Sequence, residues 1–229
     1  MAEDRLYFRQ MLSGRDFATR DQLAIQMVNF SYLIGDRSSG EALVVDPAYG
    51  VGDLLDRAAA DGMRVVGVLA THHHPDHVGG SMMGYSIEGL AQLLERVSVP
   101  VHAHRLEAPL ISRVTGLDAK DVVAHDSGDK VTVGSIDVEL LHTPGHTEGS
   151  VCLFDRTSGL LLAGDTLFAG GWGRTDLPGG SEEQIADSLA RLSRLEDSVL
   201  VLPGHGARTT IGRERPWLDE VARSRRLPF

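Results

Sequence analysis

The segment Thr71–His77 reads THHHPDH and determines how this chain is interpreted. Within six positions it supplies four side chains of metal-binding types, which are His72, His74, Asp76 and His77. Imidazole and carboxylate ligands together suit zinc, iron or manganese. Because four such ligands cannot all serve one metal comfortably and still leave a reactive position open, two adjacent metals are the simpler interpretation.

The residues around this segment predict how it is held. The apolar run Val65–Ala70 precedes it and is typical of a buried strand. Pro75 is well placed to open a helix, because its ring fixes φ and it needs no backbone donor. We therefore expect the strand end to deliver His72 and His74, and the turn into the helix to deliver the other two. His73 points away from its neighbours in an extended segment, so it is left out of the ligand set and is assigned at most a supporting role.

Three later segments share one arrangement, in which an apolar run ends beside glycine and a single metal-binding side chain. The candidates are His146 in Thr143–Thr147, Asp165 in Ala163–Thr166 and His205 in Leu202–Gly206. Glycine permits a positive φ at a strand-to-loop turn and lets the backbone approach a metal closely. Three separate strand ends with this pattern indicate a site rather than core packing.

Taken in order, these motifs resemble those of metallo-β-lactamase-fold hydrolases of the glyoxalase II-like branch. That branch includes hydroxyacylglutathione hydrolases and persulfide dioxygenases. The resemblance implies seven ligands that are divided between two metals and joined by one bridging carboxylate. The first metal would be held by His72, His74 and His146, the second by Asp76, His77 and His205, and the bridge would be Asp165. Of these ligands, the carboxylates Asp76 and Asp165 are also assigned as catalytic.

The implied cofactor is a pair of zinc ions, with one or two ferrous ions or a mixed iron–zinc centre as alternatives. A metal can lower the pKa of a bound water toward neutrality, and a metal pair can polarise a carbonyl group. No serine or cysteine nucleophile is then needed, so we expect hydrolysis of a thioester, lactone or amide. Cys152 lies in an apolar run and is expected to be a small buried residue.

The other histidines are interpreted as ordinary polar residues. His102 and His104 share a strand face through their i, i+2 spacing, but no carboxylate cluster accompanies them. His125 and His142 are single histidines outside the motifs.

Composition indicates a globular, soluble enzyme. The chain has 229 residues, of which 42% are hydrophobic and 24% charged. A net charge of −10 argues against a nucleic-acid partner. No apolar run approaches a membrane span, residues 1–20 do not resemble a signal peptide, and a single cysteine suits a reducing cytoplasm. The expected partner is a small-molecule substrate, with a glutathione conjugate as one candidate, and a homodimer remains open.

Hydrophobic periodicity predicts a mixed α/β chain. The predicted strands cover residues 21–34, 41–46, 64–71, 130–133, 136–141 and 198–202. The predicted helices cover residues 53–61, 86–97, 182–195 and 213–226. Two groups of strands with helices at either end predict a four-layer αββα sandwich, which is also the fold implied by the resemblance, in a single domain over residues 1–229.

The substrate is less well defined by the sequence. Family members of the glyoxalase II kind carry a helical C-terminal domain that helps bind glutathione, whereas only 24 residues, enough for one short helix, follow His205 here. Arg174 matches a basic position that can meet a glutathione carboxylate, or it pairs with a nearby acid. Trp172 either forms a wall of the pocket or packs in the core. Residues 81–98 form an apparent insertion, which is either an apolar lid or a surface segment.

Three functions follow from these patterns. The first is a binuclear metallo-hydrolase that acts on a thioester or related acyl substrate, with lactone hydrolysis as a variant. The second is a persulfide dioxygenase, for which the resemblance implies one iron held by His72, His146 and Asp165. The third is a metal-binding protein without catalysis, which fits poorly because a structural site usually closes its shell with four ligands.

Overall fold

The structure, a computed structural model, describes residues 5–228 and is of mixed α/β type. Its residues form two compact units. The first comprises the described residues up to His125 together with Val131–Asp137, and the second comprises Asp126–Lys130 and the described residues from Val138 onward.

The first unit contains eight strands and five α-helices before residue 126. The strands are β1 (Leu6–Leu12), β2 (Phe30–Asp36), β3 (Glu41–Val45), β4 (Arg64–Leu69), β5 (Gly80–Met82), β6 (Tyr85–Ile87), β7 (Val101–His104) and β8 (Val122–His125). The helices are α1 (Gln22–Met27), α2 (Val51–Ala60), α3 (Pro75–Val78), α4 (Leu90–Arg96) and α5 (Ala108–Thr115), followed by a 3₁₀ turn over Ala119–Asp121. The main sheet has the order β1-β2-β3-β4-β7-β8, and β5 and β6 form a separate hairpin.

The remaining strands lie mainly in the second unit. They are β9 (Lys130–Val133), β10 (Ile136–His142), β11 (Val151–Asp155), β12 (Leu160–Gly164), β13 (Leu167–Phe168), β14 (Gly171–Trp172), β15 (Leu200–Pro203) and β16 (Thr209–Thr210). The sheet order is β16-β15-β12-β11-β10-β9, with β13 and β14 paired separately. The helices are α6 (Glu182–Leu192) and α7 (Ile211–Ser224).

Parallel pairing within each sheet determines where the polar loops lie. In the first unit β3 pairs parallel to β4, with Val45 opposite Leu69. In the second unit β12 pairs parallel to β15, with Gly164 opposite Pro203. Because parallel strands end at the same edge of a sheet, the loops that follow each pair lie side by side. Each unit therefore presents its strand-end side chains from one edge.

Apolar helix faces cover the sheets and form the core of each unit. In the first unit, α2 buries Val51, Leu54 and Ala58 on one face. In the second unit, α6 buries Ile185 and Leu189 among the side chains of β11, β12 and β15. This 3.6-residue periodicity is the one on which the helix predictions rest.

Most predicted elements are confirmed, within a few residues at their ends. The predicted strand over residues 21–34 is wrong in its first half, since Gln22–Met27 is helix α1. Asp21 caps that helix by accepting hydrogen bonds from Leu23 N and Ala24 N, so a local capping signal outweighed the apparent alternation. The predicted helix over 86–97 begins only at Leu90, and β1 was not predicted.

The apparent insertion begins with the β5–β6 hairpin. At its tip Met83 has a φ of 52° and is 72% exposed, and Tyr85 is 62% exposed. This exposure agrees with a surface segment, and the lid interpretation stays a hypothesis.

Cys152 is fully buried in β11, as expected. Its thiol donates to the Ala163 carbonyl, and burial raises the pKa of the thiol to about 11. The sulfur is therefore a neutral packing group rather than a thiolate. Within residues 5–228, no helix has the length and apolar character that a membrane span needs.

Candidate metal centre

The first unit holds four of the seven candidate ligands together. The motif follows β4, and helix α3 begins at Pro75, as predicted. Potential ligand atoms of His72 lie within 4.8 Å of those of both His74 and His77. His77 Nε2 is 3.7 Å from a carboxylate oxygen of Asp76. The four side chains thus form one donor set, which we call the first donor set.

A buried carboxylate that the sequence analysis missed orients this set. Asp46 follows β3 and is 3% exposed. It accepts hydrogen bonds from Thr71 N at 2.8 Å and Thr71 Oγ1 at 2.6 Å, and its Oδ2 lies 3.0 Å from His77 Nδ1. Since a carboxylate only accepts, His77 carries its proton on Nδ1 and leaves a lone pair on Nε2.

The same reasoning determines which nitrogen of His72 is protonated. Thr71 has a single hydroxyl hydrogen, which it donates to Asp46. His72 Nδ1 lies 3.0 Å from that hydroxyl oxygen, so the nitrogen must be the donor. A neutral His72 therefore also has its lone pair on Nε2. Both ligand tautomers are thus determined by one carboxylate.

A second group of polar residues holds Asp76. Asn29 Nδ2 donates to Asp76 Oδ2 at 3.1 Å, and the Tyr49 hydroxyl donates to Asn29 Oδ1 at 3.4 Å. Burial and the nearby Asp76 carboxylate raise the pKa of Tyr49 above its ordinary value, so the hydroxyl stays a neutral donor. The sequence analysis singled out neither residue.

The second unit holds the other three candidates. Asp165 follows β12 and His205 follows β15, and parallel pairing brings them together, with His205 Nε2 3.6 Å from Asp165 Oδ2. His146 Nε2 is 3.8 Å from the same oxygen. His146 Nδ1 donates to the Arg174 carbonyl at 2.9 Å, which again leaves the lone pair on Nε2. These three residues form the second donor set, with Asp165 between the two histidines.

The chemistry of both sets fits a metal. Each contains imidazoles with an Nε2 lone pair and at least one carboxylate, which are ligands of zinc and iron. Two ligands bound about 2.1 Å from one tetrahedral zinc lie about 3.4 Å apart. The distances of 3.6 and 3.8 Å around Asp165 are close to that value. These His and Asp groups are able to bind metal.

The absence of a side chain at Gly173 leaves room for the backbone carbonyl of Asp165. A Cβ added at Gly173 would lie 1.8 Å from the Asp165 carbonyl oxygen and 3.1 Å from His146 Nδ1. A side chain here must displace the residue between the two histidines. At Gly171, two positions earlier, an added Cβ meets nothing within 4 Å.

The remaining histidines have other roles. His73 Nδ1 lies 2.6 Å from the buried carboxylate of Glu107, which agrees with a supporting role. His102 Nδ1 lies 2.9 Å from His125 Nε2, and burial lowers the pKa of His102 to about 4. His104 Nδ1 accepts from Leu106 N. Within residues 5–228 none of these, nor His142, belongs to a group of three potential ligands.

The two predicted substrate residues lie in the loop after Asp165. The Arg174 guanidinium makes two hydrogen bonds of 2.7 Å to Asp176, whose pKa it lowers to about 2. Both side chains are more than half exposed. The ring of Trp172 lies 5.7 Å from that of Trp217, tilted by 47°, at the edge of the core. These contacts agree with the pairing and packing interpretations.

Comparison with known proteins identifies the family. Residues 26–205 match the model of the metallo-β-lactamase superfamily. The chain is 33% identical to the hydroxyacylglutathione hydrolase GloC of Haemophilus influenzae, over 76% of this chain and 84% of the relative. It resembles the crystal structure of ETHE1 from Myxococcus xanthus, with a TM-score of 0.72 and 30% identity, over 96% of this chain and 86% of that one.

A third comparison bears on the metal. The crystal structure of TTHA1623 in a di-iron-bound form has a TM-score of 0.66 and 32% identity, over 82% of this chain and 92% of that one. The chain therefore belongs to the metallo-β-lactamase superfamily, in its glyoxalase II-like branch, and the predicted fold class is confirmed.

We predict that Asp46→Asn weakens metal binding about 10- to 100-fold, because Thr71 and His77 lose their common acceptor. Competition with a chromophoric chelator measures the affinity. Asp155→Asn is the matched control, since Asp155 is also buried at a strand end and bonded to neighbouring polar groups, but touches no candidate ligand. Equal metal affinities for the two variants would show that Asp46 does not orient the ligands.

A second prediction concerns the glycine beside Asp165. Gly173→Ala should lower metal affinity by on the order of tenfold or more, because the added methyl group must shift the ligand. Gly171→Ala should bind metal as the wild-type protein does. Metal content after dialysis distinguishes the two, and an unchanged content in Gly173→Ala would show that Asp165 tolerates the shift.

Proposed function

We propose that this protein is a binuclear metallo-hydrolase that cleaves a thioester or a related acyl substrate, with hydroxyacylglutathione hydrolysis as the closest model. The observation that carries this proposal is the proton arrangement of the two donor sets. Hydrogen bonds hold the Nδ1 proton of His72, His77 and His146, so each presents an Nε2 lone pair. Such side chains are preorganised to receive metal ions.

We join the two donor sets into one metal centre because the chain belongs to this superfamily. The superfamily model spans residues from both sets. In this assignment one metal is bound by His72, His74 and His146, and the other by Asp76, His77 and His205, with Asp165 as the bridge. A metal pair bound there would supply an activated water at neutral pH and polarise the acyl carbonyl.

The chain's own residues then have defined tasks. Asp46 holds two ligands of the first set in the correct tautomer. It contacts His77 directly and His72 through the Thr71 hydroxyl. Asn29 keeps the Asp76 carboxylate in place, and the Arg174 carbonyl holds His146. We assign Asp76 and Asp165 as the catalytic carboxylates, since each offers an oxygen beside its histidines.

Zinc is the metal we propose, with iron or a mixed pair as the alternatives. His and Asp ligands suit either metal. A substrate of the glutathione-conjugate class is supported by the similarity to GloC, which spans 84% of that relative. Arg174 remains our candidate for a substrate carboxylate, because its exposed guanidinium can exchange Asp176 for an anionic ligand. Trp172 would lie beside it in the same loop. The cytoplasmic location, the single domain and the homodimer stay predictions.

A persulfide dioxygenase is the second candidate function. It is favoured by the similarity to ETHE1, which extends over 96% of this chain. In that case His72, His146 and Asp165 would form a two-histidine, one-carboxylate set around a single iron. The remaining candidate ligands would then be hydrogen-bonding neighbours.

The two candidates differ in the reaction they predict. Zinc-loaded protein should hydrolyse S-lactoylglutathione, which is measured by the loss of the thioester absorbance. It should consume no oxygen with glutathione persulfide. Asp165→Ala should lose nearly all hydrolysis and part of its metal, whereas Asp155→Ala should keep its metal and turnover per folded molecule. Iron-dependent oxygen uptake without thioester hydrolysis would replace the first candidate with the second.

A further inference from the structure

Three arginine side chains line one cavity in the second unit, and no residue of either donor set is in its lining. The cavity has a volume of about 500 Å³. Its lining consists of Pro144, Gln184, Asp187, Arg191, Arg194 and Arg225.

Helix α6 explains why the polar groups gather there. The Ser181 hydroxyl caps the helix by accepting from Gln184 N, and the chain then presents Gln184, Asp187 and Arg191 at spacings of three and four. These positions share one face, while Ile185 and Leu189 on the other face are buried. Arg191 therefore lies on the solvent side of the helix, and Arg194, two residues past its end, and Arg225, at the end of α7, are also exposed.

The charges in the cavity do not cancel. Arg225 pairs with Asp187 at 2.9 Å. Arg191 and Arg194 make no ion pair with any residue of the described range 5–228. Three arginines against one aspartate give the lining a net charge of +2, in a chain whose net charge is −10. Like charges around one cavity repel each other unless an anion lies between them.

We propose that this cavity binds a multivalent oxyanion, of the kind presented by the phosphate group of a small-molecule ester. Guanidinium groups offer paired N–H donors that match the oxygens of phosphate. A dianion would neutralise the charge of +2 on the lining, whereas a monovalent carboxylate would leave a charge of +1. The cavity volume of about 500 Å³ has room for the ester's organic part as well.

Hydrogen bonds connect this cavity to the loop that carries His146. Arg191 donates to Ser188 Oγ at 3.1 Å, and Ser188 Oγ donates to the Pro144 carbonyl at 2.7 Å. Pro144 is two residues before His146 and itself lines the cavity. An anion bound by Arg191 would therefore lie beside the segment that positions a candidate ligand. The binding site itself does not depend on the proposed hydrolase activity.

Isothermal titration of the metal-loaded protein with inorganic phosphate at low salt tests the proposal. The wild-type protein should bind phosphate, and acetate should bind at least tenfold more weakly. Arg191→Gln/Arg194→Gln should weaken phosphate binding at least tenfold. The control Arg113→Gln/Arg213→Gln removes two exposed arginines that do not line the cavity and should bind as the wild type does.

Two outcomes would overturn the proposal. One is equal phosphate affinity in Arg191→Gln/Arg194→Gln and the wild type, which is the result expected if phosphate binds only at the metals. The other is the absence of phosphate binding by the wild type. An unchanged unfolding midpoint for both double variants ensures that a loss of binding is not a loss of fold, and hydrolase activity is not needed for any of these measurements.

Discussion

The buried carboxylate of Asp46 is the constraint on which the first donor set depends. Its oxygens receive the Thr71 amide, the Thr71 hydroxyl and the His77 Nδ1 proton. An anion that is 3% exposed must be fully hydrogen-bonded, so these contacts are maintained. Through Thr71 the same carboxylate also determines the tautomer of His72. One side chain thus determines which nitrogen of each of two candidate ligands offers a lone pair for a metal.

Parallel strand pairing makes that contact possible. The register that sets Val45 opposite Leu69 brings Asp46 beside Thr71, although 25 residues separate them in sequence. The second unit follows the same rule, since the pairing of β12 with β15 brings Asp165 beside His205. Gly204 N then donates to the Gly164 carbonyl, which joins the two loops directly. The contact of Asp46 with Thr71 and the contact of Asp165 with His205 are therefore products of strand register rather than of local sequence.

Much of this arrangement was predictable from the sequence, for identifiable reasons. The first motif places its ligands within six positions, so their proximity needed only a strand end and a proline-initiated helix. His146, Asp165 and His205 were found because each follows an apolar run beside glycine. Asp46 carries nearly the same signal, since it follows the apolar Ala42–Val45, but no glycine or histidine accompanies it.

Other features depend on contacts that no local pattern reveals. Asn29 reaches Asp76 across 47 residues, and its neighbours in sequence resemble an ordinary strand. The need for glycine at position 173 becomes visible only when the Asp165 carbonyl is located. Helix α1 was mistaken for a strand although Asp21 supplied a capping signal. Local chemistry therefore predicts donors well, while the groups that orient them depend on the tertiary fold.

The proposed function requires two bound metals, and metal stoichiometry tests this requirement most directly. Protein stripped with chelator, reconstituted with zinc and dialysed is analysed by inductively coupled plasma mass spectrometry. The account predicts about two zinc ions per chain in the wild type and about one in His205→Ala, which removes a ligand of one metal only. A single metal per chain that His205→Ala leaves unchanged would contradict it.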